Sequence, residues 1–120
     1  MSAAELARAA AAVRAAVDAT ETDWGELPFF VRPMVRRGFS QRTGRDVAAW
    51  RTLLDAAGRG AIAAELPAAL DALIDQWRTA PERAKKGMGG SPAQLAAIEA
   101  RLAPRIAAAV ALRALIAPPS

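Results

Sequence analysis

The sequence contains no cysteine, histidine, tyrosine or asparagine. Without cysteine there can be no disulfide and no thiolate metal site, and without histidine the commonest general base and metal ligand are missing too. Catalysis would fall to Asp, Glu, Lys or Ser alone, so the composition favours a non-enzymatic role with no cofactor and no metal. Aromatic residues are few, three Trp and three Phe, and β-branched residues are scarce, which argues against a sheet. Long hydrophobic runs are lacking as well. The most apolar stretch, residues 106–117, is broken by Arg113 and is too short to span a bilayer. The N-terminus carries charges every few residues, unlike the uninterrupted apolar segment of a signal peptide, so a cytoplasmic location without a membrane span is expected.

Present in excess are alanine, 33 of the 120 residues, and arginine, 14 of the 16 basic ones. Both are good helix formers. A chain of this length supports one core, which leads to one helical domain over residues 1–120: all-α, a compact alanine-rich bundle of four or five helices without a sheet. The net charge of +4 is unevenly placed, with acidic excess in residues 1–26 and 61–80 and basic excess in 27–60 and 81–120. Either the zones neutralise one another within the fold, or the basic ones converge on a surface that attracts an anion.

Apolar periodicity and caps outline the elements. Ser2 and Glu5 form a capping box before a helix to about Ala19, with Leu6, Val13 and Val17 on its stripe. Residues 20–26 read as a polar connector anchored by Trp24. Pro28 and Pro33 stand too close for one straight helix, so a helix from Pro33 to Arg42 is expected, with Val31, Met34, Val35 and Phe39 on one side. Thr43-Gly44-Arg45 is a turn, and Asp46 caps a helix whose stripe is Val47, Trp50, Leu54 and Ala57, closed by Gly58. The strongest periodicity, Ile62, Leu66, Leu70, Leu73, Ile74 and Trp77, predicts a helix over 61–79 that Pro67 either bends or starts. Thr79 to Glu82 repeats the capping-box spacing around a brief helical turn. Residues 87–90 are a glycine-rich connector. Ser91, Pro92 and Gln94 then open a last helix that bends near Pro104 and frays at 118–120.

Four groups of residues have chemistry to offer. The outline of helix, turn and helix from Pro33 to Ala57 is that of a DNA-binding motif, yet the outward side of its second helix offers only Ala48, Ala49, Thr52, Asp55 and Arg51, a poor set for reading bases. Its arginines lie on the first helix and in the turn, where they would meet phosphates instead. Phe29 and Phe30 beside Arg32 could stack on bases, but an aromatic pair next to proline is expected in the core. Lys85-Lys86 before the glycines are an anion-seat recipe without the order a phosphate loop needs, and a helix stop explains them as well. Asp71 and Asp75 are expected to face water near Arg78.

The segment Glu26-Leu27-Pro28-Phe29-Phe30-Val31-Arg32 followed by Met34-Val35-Arg36-Arg37 resembles the small helical C-terminal domain of the B subunit of light-independent protochlorophyllide reductase, with Pro33 departing from that pattern. The resemblance covers residues 24–37 and implies a helper or adaptor, since the cluster-binding cysteines of that enzyme lie elsewhere. Thr43-Gly44-Arg45, Trp50 and Leu54-Asp55-Ala56-Ala57-Gly58 resemble an uncharacterised bacterial helical domain.

The expected function is a non-catalytic accessory or protein–protein interaction module that presents Arg32, Arg36, Arg37, Arg42 and Arg45 to an acidic protein surface; a homodimer is compatible with it. The alternative is sequence-independent nucleic-acid binding through the same arginines, extended by Lys85 and Lys86. Both require those cations to stand together in water while the neighbouring phenylalanines and valines turn inward.

Overall fold

A computed structural model describes residues 1–88 and 90–116. Helices α1 (Ala3–Gly25), α2 (Arg32–Thr43), α3 (Val47–Gly58), α4 (Leu66–Arg78), α5 (Ala80–Met88) and α6 (Pro92–Ile116) follow one another, with no strand among the described residues. The described residues therefore form six helices where four or five were expected. The extra one is the brief turn after Thr79, lengthened to nine residues. The expected capping box at Thr79 does not form: its hydroxyl bonds back to the carbonyls of Asp75 and Gln76, holding α5 against the end of α4.

Two other boundaries differ from expectation for local reasons. Helix α1 runs on to Gly25, because the hydroxyls of Thr20 and Thr22 bond to the carbonyls of Ala16 and Asp18 and so do not compete with the helix. Thr20 and Trp24 prolong the buried stripe of Val13 and Val17. Helix α4 begins only at Leu66, with Pro67 in its first turn, and leaves Ile62 outside it and 38% exposed. The expected caps hold elsewhere. Ser2 Oγ accepts from Glu5 N, Asp46 Oδ1 accepts from Ala49 N, and Ser91 and Gln94 bond reciprocally. Each such cap contributes about 1 kcal/mol. Helix α5 continues through Gly87, Gly89 lies outside the described residues, and so do residues 117–120, which include the 118–120 tail expected to fray.

Helix α1 packs on α3 and α6, and α4 packs on α6 and α2, so α6 is the element shared by the two halves of the bundle. The core is Trp50, Trp77, Phe39, Leu54 and the leucines of α4, with Trp24 edge-on to Phe39 at a centroid distance of 5.2 Å. Alanines fill the close contacts: Ala10, Ala16, Ala57, Ala69 and Ala109 are all buried. Among the residues whose burial is described, α5 supplies no buried side chain over 80–87, and α6 supplies none before Leu102.

Candidate interaction surface

The chain turns sharply between α1 and α2. Leu27 N bonds to Trp24 O and Val31 N to Pro28 O, which closes the α1 end and starts a new helical turn within seven residues. Pro33 then sits in the first turn of α2, where its missing N–H costs nothing. This turn carries Phe29 and Phe30 outward. They are 79% and 72% exposed, and their rings meet edge to face at 5.9 Å. Met34 is 68% exposed. The expectation that the aromatic pair enters the core is thus overturned: the slot facing α1 and α4 is taken by Val35, Phe39 and Thr43, at spacing four, and Phe30 and Met34 fall on the opposite side. Helical spacing aligns Phe30, Met34, Arg37 and Gln41 as one outward stripe, and all four are exposed.

The five arginines of this region have different surroundings. Arg32 turns back onto the end of α1, donating to Gly25 O at 2.7 Å and Leu27 O at 2.9 Å. It serves as a C-terminal cap for that helix. Arg36 donates to Glu21 at 3.0 Å while lying over the Trp24 ring. Arg42 Nε donates to the side-chain oxygen of Gln76. Arg45 lies over Trp50, with its guanidinium carbon 5.3 Å from the ring centroid and its Nε buried. Only Arg37 stands exposed without a partner among the described residues. Lys85 and Lys86 are exposed in the last turn of α5, a helix that packs on α4 and α6. The arginines of 32–45 are neighbours along one helix and turn, but they do not form a single layer of free cations.

Much of the remaining charge is consumed in a chain of ion pairs. Asp55 pairs with Arg14, Arg14 with Asp18, Asp18 with Arg51, Arg51 with Glu21 and Glu21 with Arg36, so α1, α2 and α3 are laced together. Hydrogen bonds from Arg51, and next from Arg36, hold the Glu21 carboxyl below its ordinary range, outweighing the opposite push of burial. The bond to Glu21, and next the one to Asp18, raise the Arg51 pKa. The outward side of α3 therefore has its one arginine tied to α1. Asp71, expected beside Arg78, instead receives Arg113 of α6 at 3.0 Å, and Arg105 of α6 reaches Asp23 at 2.8 Å.

Two features were not singled out from the sequence. One is the exposed apolar stripe, for which the signal was the pair of prolines five apart. The other is Gln76, a polar residue only 8% exposed on the core side of α4 between Ile74 and Trp77. Among the described residues no group of three or more acidic side chains could hold a metal ion, and no helix is long and apolar enough to cross a membrane. No protein family, curated protein or solved structure matches the chain.

Proposed function

We propose that this chain is a non-catalytic protein-interaction module, and that its docking surface is the outward stripe of α2 with the turn before it. The observation that carries this reading is the exposure of Phe29, Phe30 and Met34, three large apolar side chains within six residues, the two rings in contact with each other. A contiguous apolar patch on a small domain marks a contact surface, and aromatic residues, methionine and arginine are the types enriched at such contacts. Arg37, unpaired in the middle of the stripe, and Arg36 on its flank favour an apolar partner surface rimmed by carboxylates. Docking a second copy α2 to α2 would set these arginines against each other, so an acidic partner fits better than self-association. The short likeness of residues 24–37 to an accessory domain of a reductase agrees with a helper role.

The test compares immobilised wild-type protein with Phe30→Glu/Met34→Glu in extracts of cells that express the chain. Both altered residues are exposed, so the variant is expected to keep its helical circular dichroism. A partner held by wild type and lost by the variant is the expected result. A partner held equally by both removes this surface from consideration.

One observation favours a second reading. Phe29 and Phe30 in solvent, close to Arg36 and Arg37 in sequence, are also what a sequence-tolerant single-strand binder uses to stack bases. Anisotropy of a labelled single-stranded oligonucleotide at about 50 mM salt separates the two, because phosphate contacts are strongest there. Binding that weakens steeply with added salt would favour nucleic acid over protein.

A further inference from the structure

Away from the docking stripe, two guanidinium groups meet on one buried residue. Arg42, at the end of α2, donates through Nε to the side-chain oxygen of Gln76. Arg83, in α5, donates through one terminal nitrogen to the backbone oxygen of Gln76 at 2.6 Å and through the other to the Thr79 hydroxyl. Every acceptor is neutral. Neither guanidinium has a carboxylate among its hydrogen-bond partners in the described residues, whereas Arg14, Arg36, Arg51, Arg105 and Arg113 all do. Burial, and after it the charge of Arg42, make the Arg83 cation harder to keep than usual; Asp75, the acid that helps it, forms no ion pair with it. Lys86 stands one helical turn beyond Arg83, and exposed Glu82 lies beside it in sequence.

The position of Arg42 depends on a gap in its own helix. A Cβ on Gly38 would come within 2.8 Å of one terminal nitrogen of Arg42 and 3.0 Å of the other. The absence of that carbon lets the guanidinium lie back against the helix, with both terminal nitrogens left to donate. The arrangement thus has fixed donors and two positive charges near each other, with Asp75 close enough to act on Arg83 but no carboxylate bonded to either guanidinium among the described residues. A doubly charged oxyanion supplies what is missing, accepting from both forks as carboxylates and phosphates do from arginine.

We propose that Arg42 and Arg83, fixed through Gln76 and Thr79, form a seat for a phosphate group, free or carried as a monoester. The seat joins α2 to α5 across the end of α4, so its occupant would tie down the helix that contributes least to the core. It is independent of the apolar stripe and needs no partner protein.

Thermal unfolding of the whole chain at fixed ionic strength tests it, with chloride replaced by inorganic phosphate or by glycerol phosphate. At tenfold excess over the dissociation constant, a rise of about 3–8 °C is expected for a domain of this size. Arg42→Gln and Arg83→Gln should each abolish most of the rise, while Arg59→Gln, an exposed arginine outside the seat, should keep it. An equal rise with glycerol phosphate points to a phosphate carried on a larger molecule, and a rise with inorganic phosphate alone to the free ion. If either Gln variant fails to fold, the wild-type protein still decides the matter by NMR. Phosphate should shift the Gln76 side-chain amide and the Arg42 and Arg83 Nε–H signals ahead of other resonances. No rise in wild type, the same rise in the Arg42→Gln/Arg83→Gln double variant, or shifts spread evenly over all arginines would overturn the proposal.

Discussion

A single hydroxyl illustrates how much one side chain decides. Thr43 Oγ1 lies within hydrogen-bonding distance of the carbonyls of Phe39 and Arg45, and it accepts the indole N–H of Trp50 at 3.0 Å in the middle of the core. Thr43→Val preserves the shape and strands that N–H, so urea unfolding should show a loss of about 1–3 kcal/mol. Adding Trp50→Phe to it should cost less than Trp50→Phe does in wild type, because both polar partners are then gone. Glu21 works through charge. Its carboxyl is held below the ordinary 4.5 of a free glutamate, so its contribution is fully present above that pH and is lost as the pH falls through the lower folded value. Stability measured from pH 6 down to pH 3 should therefore decline less steeply in Glu21→Gln than in wild type.

Among the elements, the junction of α2 and α3 is where local chemistry is most explicit. Gly44 ends α2 with φ of +84° and its N–H on Ser40 O, and Asp46 starts α3 two residues later. Gly44→Ala forces a side chain into the left-handed region, and a loss of about 1 kcal/mol in chemical denaturation is expected, with no change in the slope. This junction was legible in the sequence because turn, cap and apolar stripe follow one another directly, from Thr43 to Ala57. So were the stripe of α3 and the start of α6. The extension of α1 was half legible: Thr20 and Trp24 continue the spacing of Val13 and Val17, but the acidic and hydroxyl residues between them look like connector until their back-bonding is seen. Phe29 and Phe30 were misplaced because hydrophobicity gives an average tendency to bury, and the two prolines around them decide the direction. The seat at Gln76 was not legible at all, since Arg42 and Gln76 are 34 residues apart and no pattern links them.

At the scale of the whole molecule, cohesion is uneven. The bundle measures 44 × 26 × 21 Å, and the buried side chains come from α1, α2, α3, α4 and the part of α6 from Leu102 on. Residues 80–87 and 92–101 rest on partly buried contacts alone among the described residues, with Ala80 and Ile98 among them. Segments with few buried apolar contacts open without global unfolding. Hydrogen exchange should thus be faster in these two stretches than in residues 13–20 and 70–77, on the order of tenfold or more. If phosphate occupies its seat, protection of the first stretch should rise while that of residues 13–20 stays the same.

Gly38 sets two aims against each other. It interrupts α2 with the least helix-prone residue other than proline, and alanine there should gain up to about 1 kcal/mol of helix stability, partly offset by moving the Arg42 side chain. The displaced guanidinium would no longer meet Gln76 as it does now, so Gly38→Ala should melt higher in chloride and respond less to phosphate. A laboratory selection for heat resistance alone would accept that methyl group and erase the anion response, whereas a selection for both would keep the weaker helix.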